Sequence, residues 1–308
     1  MLTSEEYDEI ISQVDDPSIK EKDFAEMLKC LTDLYHNSVD PEEAIPDVLF
    51  DELVSIYEKR YNKKWKMIGV QVRKERGKVQ LDYYLGSMDK ITLGDDNPEK
   101  AIKRWLVTYK GPFIIEEKLD GVSALLIYYP NGERKMFTRG NGLKGQDITH
   151  LIKYLNIPEL DLDKKMAVRG ELIISKKKFK PFFSRQKPLP PGKFSNPRNM
   201  VSGQVNRKED TIEKSLMKEI DFVVFEILEP RTMTFSEQMT NLKKLGFTIP
   251  IYVNKKKISV PILTEILKDF RDKSRYEMDG VVIYDNSRNY TRNLKDNPKY
   301  AFAFKALT

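Results

Sequence analysis

The stretch FIIEEKLDGVSALLIYY, residues 113–129, decides how this chain is read. Two apolar runs flank a charged cluster of Glu116, Glu117, Lys118 and Asp120. Ionisable side chains between buried strands are costly unless they face a polar site, so the cluster marks a candidate site between two interrupted strands. Working outward, β-type runs recur at residues 135–138, 166–174, 222–228 and 280–284. Helical spacing appears between them, at residues 98–109, 147–155, 236–245 and 262–271. The pair Asn131 and Gly132 separates two of the runs by a tight turn, which predicts an antiparallel hairpin. The body is therefore expected to be α+β with antiparallel sheets and flanking helices. Ahead of it, residues 4–14, 21–36 and 47–57 carry apolar positions at helical spacing. A small helical domain is predicted over residues 1–68, followed by the body over 69–308.

Composition narrows the partners. The chain of 308 residues is long enough for two domains, and its 40% apolar content suits a globular protein. No run approaches the roughly 18 apolar residues of a membrane span, and the acidic start MLTSEEYDEI does not read as a secretory signal, so an intracellular protein is expected. One cysteine and two histidines cannot build a structural zinc site. Charge is unevenly spread. Residues 1–64 hold 17 acids against 7 bases, a net of −10, which leaves +16 on the other 244 residues. A basic body of that kind suits a polyanion such as nucleic acid.

The next motif, FTRGNGLKGQDIT (137–149), places Gly140, Gly142 and Gly145 at the G-x-G-x-x-G spacing of a dinucleotide-binding turn. Its context argues against that reading, because the preceding strand is reached through a hairpin and not as the opening strand of a parallel βαβ unit. The K-x-D-G string at Lys118 instead resembles the nucleotidyl-transferase motif of DNA ligases, RNA ligases and mRNA capping enzymes. The string at Arg139 is similar to one specific to NAD⁺-dependent, bacterial-type DNA ligases, with Asn141 and Gln146 in place of acids. The resemblance continues in family order through VRGEL (168–172), FSNPRNMVSGQV (194–205), MDGVVIY (278–284) and AFAFK (301–305). At the front, LYHNS (34–38) and IPDVLFDEL (45–53) look like the family's N-terminal domain Ia, which ATP-using ligases lack.

The resemblance implies an ATP-grasp-like nucleotidyl-transferase fold. In its chemistry Lys118 attacks the α-phosphate of NAD⁺, releases nicotinamide mononucleotide and carries AMP for later transfer to the 5′-phosphate of a DNA nick. A lysine nucleophile must be uncharged. Asp120 and Glu116 oppose that, so a nearby cation is expected, with Lys305, Arg139 or a bound Mg²⁺ as candidates. Asp279 and Glu171 complete the implied catalytic set, Glu171 accepting from a ribose hydroxyl. Ser87, Met88, Glu116, Phe225 and Tyr284 are implied around the adenosine. Phe225 stands for a stacking tyrosine, and Tyr284 for a lysine that reaches the base. Tyr35, His36, Asp47, Phe50 and Asp51 are implied around the nicotinamide mononucleotide half, with Phe50 replacing a tyrosine. Arg198, Arg207 and Arg271 match arginines of the phosphate and DNA-handling surface. The chain ends three residues past Lys305, where the family continues into an OB-fold, so an adenylation fragment is expected, monomeric and weak on nicked duplex alone. Two other readings stay open: a nucleotide- or DNA-binding module without turnover, suggested by Tyr284 and Phe50, and an ATP-using polynucleotide ligase.

Overall fold

A computed structural model describes residues 18–37, 47–63, 78–184, 196–207, 209–290 and 296–305, with the side chains of 30–37, 47–52 and 182–184 outside the description. The chain divides into two compact units at Gly77 and Lys78. The first contains helices α1 (Glu21–Asn37) and α2 (Asp47–Tyr61). They pack through Phe24, Leu28, Leu53 and Tyr57, which recur at helical spacing, with Phe24 and Tyr57 edge to face at 5.6 Å. The helical pattern at residues 4–14 lies outside the described residues.

The second unit holds two larger sheets. One has five strands in the order β2 (Asp89–Thr92), β11 (Ala301–Lys305), β10 (Met278–Asp285), β3 (Phe113–Leu119), β9 (Tyr252–Lys255). All its pairings are antiparallel except β2 with β11. The other has four antiparallel strands in the order β5 (Arg134–Thr138), β4 (Val122–Tyr128), β7 (Met166–Ile174), β8 (Ile220–Glu229). A short pair joins β1 (Lys78–Gln80) to β6 (Lys144–Gln146). The α+β expectation and the antiparallel hairpin from β4 to β5 both hold.

Two sequence expectations change. The charged cluster does not interrupt its strand: β3 runs on through Glu116, Glu117 and Lys118 to Leu119. Only Asp120 and Gly121 form the turn, and the next strand belongs to the other sheet. Alternation explains how the strand tolerates Glu116 and Lys118, while Glu117, on the core side and 4% exposed, accepts from the Ile251 amide at 3.0 Å. Phe113 and Ile115 enter the core below, whereas Ile114, Glu116 and Lys118 share the opposite face. Residues 147–155 form a 3-10 turn over Thr149–Tyr154 and not an α-helix, since Asp147 accepts from the Thr149 amide and β-branched residues crowd the segment.

Each sheet is closed on one face by helices. Under the five-stranded sheet lie α3 (Pro98–Thr108) and α8 (Val260–Lys273), which bury Ile102, Leu263, Leu267 and Phe270 against Ile115, Val281, Ile283 and Phe304. Outside the four-stranded sheet, α4 (Lys176–Ser184), α5 (Pro197–Val205), α6 (Lys214–Met217) and α7 (Phe235–Lys244) pack on the core of Leu126, Val168, Leu172 and Val224. The opposite faces carry Glu116 and Lys118 of β3, Lys305 of β11, and Arg169 and Glu171 of β7.

Candidate active site

Lys118 lies near the end of β3, and its Nζ donates to both oxygens of Asp279 on β10, at 2.8 and 3.0 Å. Lys305, at the end of β11, reaches the same carboxylate at 2.7 Å. Register produces this triplet: Lys118 pairs with Gly280, and Val281 with Phe304, so three neighbouring strands present their ends together. The side chains are 20 to 29% exposed, open enough for a substrate and dry enough for charge to matter. Burial alone would raise the Asp279 carboxyl, yet the ammoniums of Lys118 and Lys305 hold it below the usual aspartate value. Of the three expected cations, the structure puts Lys305 beside Lys118.

The crossing turn brings the second sheet to this triplet. Asp120 forms an ion pair with Arg198 of α5 at 2.6 Å. The Gly121 amide donates to Glu171 Oε1 of β7 at 3.3 Å. A side chain at Gly121 would place its Cβ 2.4 Å from the Leu172 carbonyl and 3.0 Å from Glu171, so only glycine fits the close passage. Glu171 is 8% exposed. Burial pushes its carboxyl up to about 7, against the pull of Arg198, Lys118 and Arg169.

That proton has a consequence for stability. The ordinary value of 4.5 represents the unfolded chain, so between roughly 4.5 and 7 the folded state binds a proton that the unfolded state has lost, and stability falls as pH rises through this window. Glu171→Gln removes the penalty. The variant is expected to gain up to about 3 kcal/mol over the parent near pH 8 and nothing near pH 4. Denaturant melts at the two pH values measure it; an equal difference at both would show that the carboxyl is not held protonated by the fold.

Deeper between the sheets, Glu116 is 3% exposed and accepts from the Tyr284 hydroxyl at 2.8 Å. Burial raises its carboxyl well above the usual range, with Glu226 and Glu117 adding to the effect. Tyr284 stacks at 4.1 Å on Phe235, and Met88 packs on the same cluster. The tyrosine thus spends a hydroxyl hydrogen bond on Glu116. Arg139 donates through Nε to the Leu85 carbonyl at 2.9 Å and through Nη2 to Ser87 at 2.6 Å, which fixes it beside the segment before β2. Gly140, at φ 51°, sits in the turn between antiparallel strands, where an added Cβ would meet the Lys144 carbonyl at 1.9 Å. The dinucleotide-turn reading fails on this geometry.

Phe225 is half-buried with the Arg169 guanidinium 5.6 Å from its ring centre. Arg207 donates to the Thr211 carbonyl at 3.3 Å, and Arg271, in the last turn of α8, has a buried Nη2 with no hydrogen-bond partner among the described residues. The structure does not bring Arg207 and Arg271 to the Lys118 triplet through any of these contacts. The side chains of Tyr35, His36, Asp47, Phe50 and Asp51 lie outside the described residues. A separate cavity of about 1200 Å³, lined by Lys176, Lys177, Asp221 and Tyr276 among others, contains none of the expected site residues.

Sequence reasoning missed Arg169, which is 6% exposed beside Glu116 and Glu171. The signal was available: in a strand of period two, Arg169 must share a face with Glu171.

Comparison with known proteins places this geometry. The family described as NAD-dependent DNA ligase adenylation domain matches residues 93–307. The DNA ligase of Acanthamoeba polyphaga mimivirus is 36% identical over 299 residues, covering 95% of this chain and 44% of the relative. The putative DNA ligase 205R of Invertebrate iridescent virus 6 is 35% identical, covering 74% of this chain and 36% of its own length. The DNA ligase of Helicobacter pylori strain G27 is 28% identical over 92% of this chain and 46% of the relative. The chain therefore spans less than half the length of these relatives. Among solved structures, the ligase domain from M. tuberculosis LigD matches with a TM-score of 0.41 and 13% identity, over 71% of this chain and 59% of that one. With that family matched over residues 93–307, more than half of the chain, the chain belongs to the NAD-dependent DNA ligase adenylation domain family.

Proposed function

We propose that this chain performs the self-adenylation half of nick sealing, with Lys118 as the nucleophile. The Lys118 amine, after giving up a proton, forms an N–P bond to the α-phosphorus of NAD⁺. The bond from that phosphorus to the bridging oxygen breaks, and nicotinamide mononucleotide leaves with the electron pair. The AMP so held is then passed to the 5′-phosphate of nicked duplex DNA. The observation that carries the reading is the Lys118, Asp279, Lys305 triplet beside a buried Glu171.

In this reading Asp279 orients the amine, and Lys305 supplies charge where the phosphate develops it. Glu171 takes a ribose hydroxyl. Glu116 and Tyr284 line the base end, and Phe225 offers a ring face. Arg139 keeps Ser87 and Met88 in place around the nucleoside. Helices α1 and α2 form the part that grips the nicotinamide mononucleotide half, through Tyr35, His36, Asp47, Phe50 and Asp51; acids there suit a cationic ring. Arg198, Arg207 and Arg271 are assigned to the DNA phosphates, Arg198 through its pair with Asp120. The described residues offer Mg²⁺ no group of three ligands, and Asp120 and Asp279 are both occupied by cations. They do not fit a protein-held metal, and no step is assigned to one; an ion arriving with the substrate phosphates would keep mostly water ligands.

Intact-mass measurement after incubation with NAD⁺ or ATP, each with Mg²⁺, tests the proposal. One AMP is expected from NAD⁺ and none from ATP. An adduct from ATP would overturn the choice of donor, and NAD⁺ binding without any adduct would leave a binding module.

A further inference from the structure

Residues 85–88 have no regular structure of their own, yet they carry Ser87 and Met88 into the site. Two arginines, one just past the end of β5 and one on β7, grip consecutive carbonyls of this segment: Arg139 Nε donates to Leu85 at 2.9 Å, and Arg169 Nη1 donates to Gly86 at 3.0 Å. Ser123 on β4 ties the two together. Its carbonyl accepts from the Arg139 amide at 2.8 Å, and its hydroxyl accepts from Arg169 Nε at 3.2 Å. Arg169 also lies over the Phe225 ring. It stands in register opposite Leu125 on one side and Glu226 on the other, at the centre of the sheet.

We propose that Arg169 is a positioning residue for adenylation: it fixes the 85–88 segment and Phe225 around the nucleoside, and it sets its charge against the two buried carboxyls Glu116 and Glu171. This rests on the adenylation reading above. The fork geometry explains the residue type. A guanidinium presents donors in two directions within one plane while its face lies on an aromatic ring. A lysine at this position keeps the charge but holds its donors on one nitrogen, so it cannot span both Gly86 and Ser123 as the separate guanidinium nitrogens do. The charged groups facing Glu171 are Lys118 from β3, Arg198 from α5 and Arg169 from its own strand. Arg198 and Lys118 exert the larger pulls on it, and Arg169 adds to both. Removing the Arg169 charge therefore raises the Glu171 carboxyl further.

The test measures the rate of AMP attachment against NAD⁺ concentration, across pH from about 5 to about 9, for the parent, Arg169→Lys and Arg169→Gln. For Arg169→Lys the half-saturating NAD⁺ concentration is expected to rise about tenfold, the loss of one charge-assisted hydrogen bond, with the acid limb of the pH profile unmoved. Arg169→Gln is expected to show the same rise together with an acid limb displaced to higher pH by about half a unit or more. Far-UV circular dichroism checks folding. Ser123→Ala, which removes one Arg169 contact and no charge, is expected to raise half-saturation about threefold and decides the matter if Arg169→Gln does not fold. Parental half-saturation and parental acid limb in Arg169→Gln would overturn the proposal, as would a fall in maximal rate alone. The parent's own adduct reports on the adenylation reading, so the two failures are distinct.

Discussion

Lys118→Ala and Lys118→Arg are each expected to abolish AMP attachment completely, with no mass gain from NAD⁺ over a time in which the parent is fully modified. The alanine has no amine, and the guanidinium of arginine stays protonated and cannot attack. Neither change should unfold the protein. Lys118 is 27% exposed, and Asp279 keeps Lys305 as a partner when it is lost, so the stability change is expected within about 1 kcal/mol. Intact mass and a melting curve on the same sample separate the two effects. Persistent AMP attachment at any other residue in Lys118→Ala would remove the nucleophile from the proposal.

The second large effect falls on Asp279. It carries two ammoniums on one carboxylate, and its loss leaves Lys118 without the acceptor that orients it and places two cations side by side. Asp279→Ala and Asp279→Asn are both expected to slow AMP attachment by about 10²-fold or more, the usual cost of an electrostatic group in a dry site. The asparagine matters because it keeps the shape and drops the charge; near-parental rates in Asp279→Asn would show that shape alone suffices. The sign with pH follows from the lowered carboxyl. Its stabilising pairs are intact above the ordinary aspartate range and are lost as pH falls through the depressed value, so Asp279→Asn should lie closest in stability to the parent in acid.

Much of the site was legible one residue at a time. Lys118 and Asp120 stand out as charges beside apolar runs, whereas Glu171, Asp279 and Lys305 are pointed to only by strings that resemble a family's in the same order. The strand at Lys118 was misread as broken. Four charged groups in five residues look like an interruption, but alternation puts Glu116 and Lys118 on the polar face, the Ile251 amide partners Glu117, and Asp120 falls in the turn. The short strands β1, β2, β6, β9 and β11 are three to five residues long, too short for periodicity to separate from loop.

The order of residues by itself determined the family, that strands dominate the body, and that helices precede it, because motif strings and local spacing are properties of the chain alone. Which groups meet was settled only by folding. β3 and β4 are separated by two residues yet belong to different sheets, and that crossing sets Glu171 beside Lys118 and frees Arg169 to hold a segment more than eighty residues earlier. Pairing across a sheet joins residues far apart in the chain, and no local pattern records its partners.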